Sequence, residues 1–184
     1  MNLSGQTDDD AQLIQEASAG SPQAFSDLFN RYYPMIHAFA YRLSLCPAEA
    51  SDIAQDTFIQ AARSLGGFRR EASFKNWLYA IAANKSRDRF RQRVRRDRLS
   101  ADYATLNASS RAESAEVGLV REALAGLTQD LREAVALVYY EGLNHAEAAR
   151  VLGCAETTVS WRIFRAKQKL KPVLQSRMDG GPHE

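Results

Sequence analysis

A polar and aromatic helix face near the end of the chain has side chains suited to binding DNA. When residues 157–170 are placed at about 100° per residue, one apolar stripe is formed by Val159, Ile163, Ala166 and Leu170. The opposite face contains Thr157, Trp161, Phe164, Arg165 and Gln168. Because the apolar stripe already supplies the core, we expect both aromatic rings to point outward. In a major groove, an arginine donates to guanine or phosphate and an aromatic ring contacts thymine methyl groups, so this face predicts DNA recognition.

The residues before this helix predict that it is the second helix of a helix-turn-helix. Ala149 is small at a position where two helices would touch, and Gly153 follows four residues later, where the turn favours a positive φ. Val159 lies six residues further on, where the motif needs a core residue. Asn144 and Glu147 form a capping pair for the first helix. This spacing points to a DNA-binding unit.

A dense basic segment lies earlier in the chain. Against only Asp88 and Asp97, residues 85–98 contain Lys85, Arg87, Arg89, Arg91, Arg93, Arg95, Arg96 and Arg98. A solvated basic surface is the ordinary interpretation of such a run. Cations this close together repel one another unless a polyanion is near, so we favour nucleic-acid binding. Asn84 adds an amide beside the cations, a combination that suits holding unstacked bases.

The helix predicted at residues 50–65 has an outer face of the opposite sign at its start. The outward positions include Asp52, Gln55, Asp56, Ile59 and Arg63. Carboxylates near a helix start compensate the helix dipole, which explains Asp52 better than Asp56. The other interpretation is a docking surface for a partner protein with a basic helix. The residues alone leave both interpretations open.

The apolar pattern predicts an all-α protein of two small helical domains joined by a flexible linker. In residues 24–43, apolar side chains recur every three or four positions, which predicts a helix. Pro34 is expected to kink or break that helix after Tyr33. Gly66 and Gly67 are expected to end the next helix, and a third starts at Phe74. The predicted boundaries are a flexible acidic lead at 1–20, a first domain at 21–99, a linker at 100–116, a second domain at 117–175 and a tail at 176–184.

Composition excludes several classes of protein. The 184 residues are 45% hydrophobic and 25% charged with a net charge of +2, which suits soluble domains with buried cores. No apolar run approaches the ~20 residues of a membrane span, and the N-terminus lacks the features of a signal peptide, so we expect a cytoplasmic protein without membrane insertion. Cys46 and Cys154 are far apart and in no ligand spacing, so we expect no metal and no disulfide. No catalytic constellation is present, so we expect no enzyme activity, cofactor or small-molecule substrate.

Over nearly its whole length, the chain resembles an extracytoplasmic function (ECF) sigma factor, one of the compact two-domain members of the sigma-70 family. Residues 50–61 resemble region 2.2, residues 74–98 resemble regions 2.3 and 2.4, and residues 127–170 resemble region 4. The resemblance implies a transcription initiation factor that binds the β′ clamp helices and the β flap of core RNA polymerase. It also implies recognition and melting of the minus-ten promoter element as single-stranded DNA, reading of the minus-thirty-five element as a duplex, and control by an anti-sigma factor.

The resemblance assigns residues to three functional sets. The set implied for core-polymerase binding is Asp52, Gln55, Asp56, Ile59 and Arg63. The set implied for the minus-ten element is Asn84, Lys85, Arg87, Arg89, Arg91, Arg93 and Arg95. The set implied for the minus-thirty-five element is Thr157, Thr158, Ser160, Trp161, Arg162, Phe164, Arg165, Gln168 and Lys169.

Some residues of the helix-turn-helix depart from the family pattern. Ala155 occupies a position that is often proline, Ser160 one that is frequently basic, and Trp161 one that usually has a small hydroxyl. We therefore expect an altered minus-thirty-five preference. The alternative function is a helix-turn-helix regulator that acts without being a polymerase subunit, although residues 20–98 show neither a ligand-pocket signature nor a heptad seam. A nucleic-acid-processing enzyme would need clustered carboxylates beside the basic segment.

Overall fold

The computed structural model describes residues 3–99 and 115–178, and within these ranges the regular structure is helical with no strand. The helices are α1 (Leu3–Ser18), α2 (Pro22–Ser44), α3 (Pro47–Ser64), α4 (Phe74–Leu99), α5 (Ala115–Ala125), α6 (Gln129–Val135), α7 (His145–Leu152) and α8 (Glu156–Met178). The all-α prediction is therefore confirmed. Of the predicted linker, only residues 115 and 116 are described, and they begin α5. The predicted tail continues α8 to Met178, and its remainder lies outside the described residues.

Helix α2 is continuous through Pro34, so of the two predicted effects of this proline, a kink or a break after Tyr33, the break is wrong. Its start is defined by Ser21, whose side chain accepts from the Ala24 amide at 3.3 Å, and by a proline at the first helical position. A proline inside a helix costs ~3 kcal/mol. Leu28 and Ile36, on either side of Pro34, are both fully buried, and each such side chain contributes ~1.5–3 kcal/mol, so burial offsets that cost.

The N-terminal segment predicted as a flexible lead contains helix α1, so that prediction is corrected. Ile14 is buried in the core between α1 and its neighbours. Asp10 accepts from Arg31 and from the Tyr32 hydroxyl, both on α2, and Arg70 donates to the Ala11 carbonyl at 3.1 Å. The apolar periodicity of this acidic segment is too weak to predict a helix from sequence, and the helix is stabilised by these contacts with the rest of the fold.

The helix-turn-helix predicted near the C-terminus is present. Asn144 and Glu147 form a complete capping box at the start of α7. Gly153 ends α7 in the left-handed region with φ of 66°. Val159 is fully buried, and Ile163 is 5% exposed, so the predicted apolar stripe of α8 is the one that packs on α6 and α7.

The two helical units pack against each other. Helix α4 of the first unit contacts α7 of the second, and α2 contacts α6 and the π-helical turn Ala136–Tyr140. The buried side chains of both units form one continuous cluster. Both domains are therefore in a closed arrangement, which the sequence analysis, with its loose linker, did not predict.

Candidate nucleic-acid and protein interfaces

The outward face of α8 brings three predicted DNA-binding side chains together. Trp161 and Phe164 are 55% and 57% exposed, which confirms that both rings point away from the core. The Arg165 guanidinium lies 5.9 Å from the centre of the Trp161 ring and donates to Gln168 at 3.3 Å. A guanidinium positioned over an indole ring is attracted to its electron-rich face. The arrangement presents a cation between an aromatic plane and an amide, with its remaining donors toward solvent.

The other residues predicted for this face divide into two groups. Exposed positions are Thr157, Ser160, Gln168 and Lys169, and Thr158 is half-buried. The Ser160 hydroxyl bonds His145 of α7 at 2.9 Å and donates to the Glu156 carbonyl at 3.2 Å. Arg162 has a different orientation, because its side chain is only 19% exposed and its Nε lies 3.8 Å from the Asp130 carboxylate near the start of α6. The structure therefore separates Arg162 from the outward face.

Several arginines of the basic run on α4 pair with carboxylates of their own chain. Arg89 donates to Asp52 at 2.9 Å and to Asp56 at 2.7 Å, and Arg93 donates to Glu49 at 3.2 Å. Arg91 pairs with Asp88 one turn away on the same helix. For Arg89 and Arg93, α3 supplies the opposite charge, so these two cations have partners within the chain, and nucleic-acid binding by the basic segment stays a prediction.

Arg89 is the cation that joins the predicted DNA surface to the predicted polymerase surface. Partial burial lowers the pKa of its guanidinium, but the hydrogen bonds and charges of Asp56 and Asp52 outweigh this, so its pKa is raised. Asp52 and Asp56 are still 56% and 41% exposed, and Ile59 is 50% exposed. Gln55 and Arg63 are exposed on the same helix. The predicted polymerase face is therefore accessible, although its two carboxylates share one arginine.

Arg87 is held by the second helical unit instead of by α3. Its Nε lies 3.0 Å from both oxygens of Glu133 on α6, and its Nη2 lies 2.6 Å from Oε2. Asn84 accepts from Arg87 at 3.0 Å, so two predicted minus-ten residues meet at this contact. The Glu133 side chain is 1% exposed, and this burial raises the pKa of its carboxyl, although the bonds from Arg87 partly offset the effect.

A second charged contact joins the two units on another side of the interface. Glu141 accepts from the Tyr79 hydroxyl and from Arg42 at 2.9 Å. Burial and the neighbouring Glu141 raise the pKa of the Tyr79 hydroxyl, which therefore acts as a donor. Arg132 of α6 donates to the Leu43 carbonyl at 2.7 Å. These cross-unit partners were missed by the sequence analysis, because pairs so distant in the chain leave no periodic signal.

A cavity of about 510 Å³ lies at the other end of α4. It is lined by residues of α1, α2, the segment before α4 and the start of α4, among them Arg31, Tyr32, Phe68, Arg70, Phe74 and Lys75. The Tyr32 and Phe74 rings lie 5.3 Å apart, and the Phe68 and Phe74 rings 5.6 Å apart. Asp10 also lines the cavity and pairs with Arg31, so Arg70 and Lys75 are the lining cations that remain for a ligand, and with the aromatic walls they suit a flat, anionic group such as a nucleotide. The sequence signal was Phe68-Arg69-Arg70 after the glycine pair, and it was overlooked in favour of the longer basic run.

Among residues 3–99 and 115–178, no group of His, Cys, Asp or Glu side chains has the geometry of a metal site. In the same part of the chain, no helix is both long and apolar enough to cross a membrane. Cys46 and Cys154 are unpaired thiols, each half-buried.

The fold and these surfaces define a two-domain helical DNA-binding protein in which a helix-turn-helix unit is docked on a second, strongly charged unit. Residues 28–96 match the family model for sigma-70 region 2, and residues 118–170 match that for sigma-70 region 4. The chain belongs to the sigma-70 family and is an RNA polymerase sigma factor of the ECF group. It is therefore a factor that directs RNA polymerase to promoters.

Two curated relatives show how far the similarity extends. The RNA polymerase sigma-H factor of Pseudomonas aeruginosa is 34% identical over 90% of this chain and 94% of its own length. The ECF RNA polymerase sigma factor SigM of Mycobacterium tuberculosis is 34% identical over 90% of this chain and 84% of its own length.

Two solved structures have the same fold across both units. CnrH, solved in complex with the cytosolic domain of CnrY, is 30% identical, with a TM-score of 0.71 over 91% of this chain and 98% of that one. The sigma factor RpoE of Bartonella quintana, solved with the anti-sigma factor NepR, is 28% identical, with a TM-score of 0.70 over 82% and 96%.

Proposed function

We propose that this sigma factor uses three separate surfaces, one to bind core RNA polymerase and two to recognise the promoter. The outward face of α3 binds core RNA polymerase, the α4 surface with the adjacent cavity holds the melted minus-ten element, and the outward face of α8 reads the minus-thirty-five element. The observation that supports this division best is the exposed Trp161, Phe164 and Arg165 cluster on the second helix of a helix-turn-helix. Such a helix enters the major groove with base-contacting side chains on its outer face.

The polymerase surface is the set Asp52, Gln55, Asp56, Ile59 and Arg63 on α3. An exposed apolar side chain surrounded by carboxylates fits a partner helix that offers cations around an apolar contact. The β′ clamp helices are the partner that the family implies. The β flap is proposed to contact the second domain, separately from the α8 face that contacts DNA.

The minus-ten surface includes Asn84, Lys85 and the arginines of α4 at positions 87–95. We further propose that one unstacked base enters the cavity at the start of α4 and stacks against its aromatic wall, which includes Phe68 and Phe74. Arg70 is exposed at the cavity rim and is placed to meet the phosphate of that nucleotide. Base stacking on an aromatic side chain contributes ~1–3 kcal/mol, so the cavity would stabilise melted DNA over duplex.

The cavity assignment is tested with two neighbouring arginines of the same exposed segment. Arg70→Ala removes a cation that lines the cavity, whereas Arg69→Ala removes one that is absent from its lining. With holoenzyme on a promoter fragment carrying a permanently unpaired minus-ten region, we expect the affinity to fall ~5-fold or more for Arg70→Ala only. Equal losses for both variants would show a general charge effect and overturn the cavity assignment.

We also propose that an anti-sigma factor binds the closed chain, because both solved relatives with this fold were captured with such partners or partner domains. The protein is proposed to work in the cytoplasm, where core polymerase and promoters are found. It contributes binding energy and no catalytic step of its own, so the polymerase performs the chemistry.

The experiment that tests the function is run-off transcription with purified core RNA polymerase on a fragmented genomic library. With the protein present, we expect discrete new start sites that share two spaced upstream motifs. DNA binding by the protein without core-dependent initiation would favour the alternative, a helix-turn-helix regulator that is not a polymerase subunit. With the Arg165→Ala protein in the same assay, we expect the new start sites to share a weaker consensus at the upstream motif and an unchanged consensus at the downstream motif.

A further inference from the structure

The start of α8 has an unfavourable charge for a helix that enters a DNA groove. Residues 156–161 include Glu156 and contain no lysine or arginine, and the Glu156 side chain is exposed. A carboxylate at this end repels the DNA backbone, so positive charge is needed beside it. That charge has to come from a neighbouring element, and α7 begins with His145, whose ring contacts Ser160 of α8.

The Ser160 hydroxyl determines which nitrogen of His145 is left for another partner. A hydroxyl has one hydrogen, and Ser160 donates it to the Glu156 carbonyl at 3.2 Å. The Ser160 oxygen therefore accepts from Nδ1 of His145, which lies 2.9 Å away. With Nδ1 as the donor, the neutral ring has a lone pair at Nε2, and protonation makes Nε2 a second donor. Since the two ring nitrogens point in different directions, Nε2 is directed away from the Ser160 contact.

We propose that His145 is a phosphate-binding residue of the minus-thirty-five surface and that Ser160 holds its ring in place. When the imidazole is charged, Nε2 donates to a backbone oxygen beside the groove that α8 enters. The first helix of a helix-turn-helix crosses the DNA backbone while the second lies in the groove, which puts the start of α7 on the phosphate side. Ser160 is then a positioning residue, because its hydrogen is used within α8. The inference rests on the proposed assignment of the outward face of α8 to duplex DNA.

Carboxylates lie on both helices that hold the imidazole. Glu147 of α7 caps its own helix through its side chain, and Glu156 begins α8 one turn before the serine. Helix α4 and the π-helical turn Ala136–Tyr140 also pack against α7. The arginines of α4 at positions 87–93 are paired with carboxylates, and the turn contributes two tyrosines. A charged His145 would therefore offset Glu156, which otherwise opposes the approach of this end of α8 to the backbone.

The chain offers a matched control for the pair. His37 on α2 lies 3.2 Å from Ser51 through its Nε2, and Ser51 donates to the Pro47 carbonyl at 3.1 Å. The first domain thus has the same arrangement of histidine, serine and carbonyl, outside the helix-turn-helix. His145→Gln and His37→Gln each replace an imidazole by a neutral side chain of good helix propensity. The third histidine, His183, is kept in both variants.

The test is a titration of a labelled duplex carrying the minus-thirty-five element with holoenzyme that contains the full chain. Histidine changes its charge in the range from about pH 6 to about pH 8, so the titration is run at both ends of it. At the lower pH we expect the parent to bind about fivefold more tightly than His145→Gln, because a charge-assisted bond to phosphate is present only in the parent. At the higher pH the two should bind equally, and His37→Gln should match the parent throughout.

Salt dependence identifies the group that His145 binds. Each phosphate neutralised by a cation adds about one unit to the slope of log affinity against log salt concentration. The parent should therefore have a slope steeper by about one than His145→Gln at the lower pH, and the same slope at the higher pH. A loss of affinity at the lower pH without this change in slope would overturn the assignment to phosphate.

Ser160→Ala tests the positioning of the ring. Without the hydroxyl the imidazole loses its anchor, so we expect most of the gain in affinity at the lower pH to disappear. Ser160→Thr keeps a hydroxyl and should restore the gain. If Ser160 contacted a base itself, Ser160→Ala would weaken binding equally at both pH values, and that result would overturn its role as a support.

A ratio of parent to His145→Gln affinity that is the same at both pH values would overturn the proposal as a whole. Thermal unfolding of both glutamine variants detects any loss of folding, which would lower affinity at both pH values alike. The proposed function of α8 is judged separately, from discrimination between cognate and scrambled duplexes at the higher pH, where His145→Gln and the parent are expected to agree. Failure of that discrimination would therefore be distinguished from failure of the contact made by His145.

Discussion

The two proposed DNA surfaces differ in how their cations are paired. On α4 of the first domain, Arg87, Arg89 and Arg93 all lie on carboxylates from other helices of the chain. On α8 of the second domain, Arg165 contacts Trp161 and Gln168 of its own helix, and its side chain is exposed. The proposed minus-ten surface would therefore have to exchange internal partners for phosphate, whereas the proposed minus-thirty-five surface needs no such exchange to enter a groove.

This difference matches the DNA that each surface is proposed to bind. Duplex DNA at the minus-thirty-five element is present before initiation, and a preformed surface can read it without rearrangement. A single strand at the minus-ten element appears only after melting. Cations that are already satisfied inside the protein compete less for the backbone of arbitrary DNA, which reduces non-specific binding.

The largest expected effect tests the carboxylates that α3 shares between the two roles. Replacing Asp52 and Asp56 by Lys together places two cations against Arg89 and against any basic partner helix, and like charges in contact cost several kcal/mol. We expect the affinity for core polymerase to fall by roughly 100-fold or more. Fluorescence anisotropy with labelled protein gives the dissociation constant.

The matched control for that prediction is Asp27→Lys, because Asp27 belongs to α2 instead of α3 and, within residues 3–99 and 115–178, accepts from Gln23 one turn earlier on its own helix. Circular dichroism should show the second domain folded in both proteins. Normal holoenzyme formation by the Asp52→Lys, Asp56→Lys protein would refute the assignment of this face.

The next prediction compares two arginines of α4, one in a buried ion pair and one in an exposed ion pair. Arg87→Ala leaves the buried Glu133 carboxylate without its main partner, and breaking such a pair costs ~3–5 kcal/mol. Glu133→Gln removes the charge whose burial already raises the carboxyl pKa, so we expect a change of about 1 kcal/mol or less. Urea unfolding measures the free energy of unfolding of each variant.

Arg91→Ala is the control for this pair, because Arg91 and Asp88 are 71% and 51% exposed. Such surface pairs contribute ~0–1 kcal/mol. If Arg87→Ala and Arg91→Ala destabilised the protein equally, the contact between the domains would not contribute to stability in solution, and the contrast between the two domains would lose its basis.

The sequence predicted those features that depend on neighbours along one helix. The apolar stripe of α8, the outward Trp161 and Phe164, the capping box and the turn at Gly153 all follow from spacings within a few residues. The Arg42–Glu141 pair joins positions 99 residues apart, and such a pair has no periodic signature in one sequence. The orientation of Arg162 was also beyond reach, because it depends on where α6 places Asp130.

A smaller effect is expected from arginines on two sides of α8. Arg165→Ala should weaken binding to the cognate minus-thirty-five duplex by ~1–3 kcal/mol if the guanidinium makes a bidentate contact with one base. Arg162→Ala should change DNA affinity little, because its side chain faces Asp130. Titration of each protein with cognate and scrambled duplexes separates the cases. Equal weakening of Arg165→Ala on both duplexes would make it a phosphate contact, and a larger loss for Arg162→Ala would contradict the orientation of α8.

The smallest effect compares the turns beside the two DNA surfaces. Gly153 has φ of 66°, and a Cβ there meets no atom within 4 Å, so Gly153→Ala should cost ~1–2 kcal/mol from backbone strain alone. Gly67, in the turn before the cavity, has an ordinary φ and equally open space around it. Gly67→Ala should therefore be neutral or should stabilise the protein by ~0.4–1 kcal/mol, because alanine lowers the conformational entropy of the unfolded chain. Thermal unfolding measures both.

Because the strained turn sets the angle between α7 and α8, the loss at Gly153 should also reduce minus-thirty-five binding, whereas Gly67→Ala should leave it unchanged. An equal response at both glycines would mean that the helix-turn-helix tolerates a different turn, and that its readiness for duplex DNA does not depend on this backbone geometry.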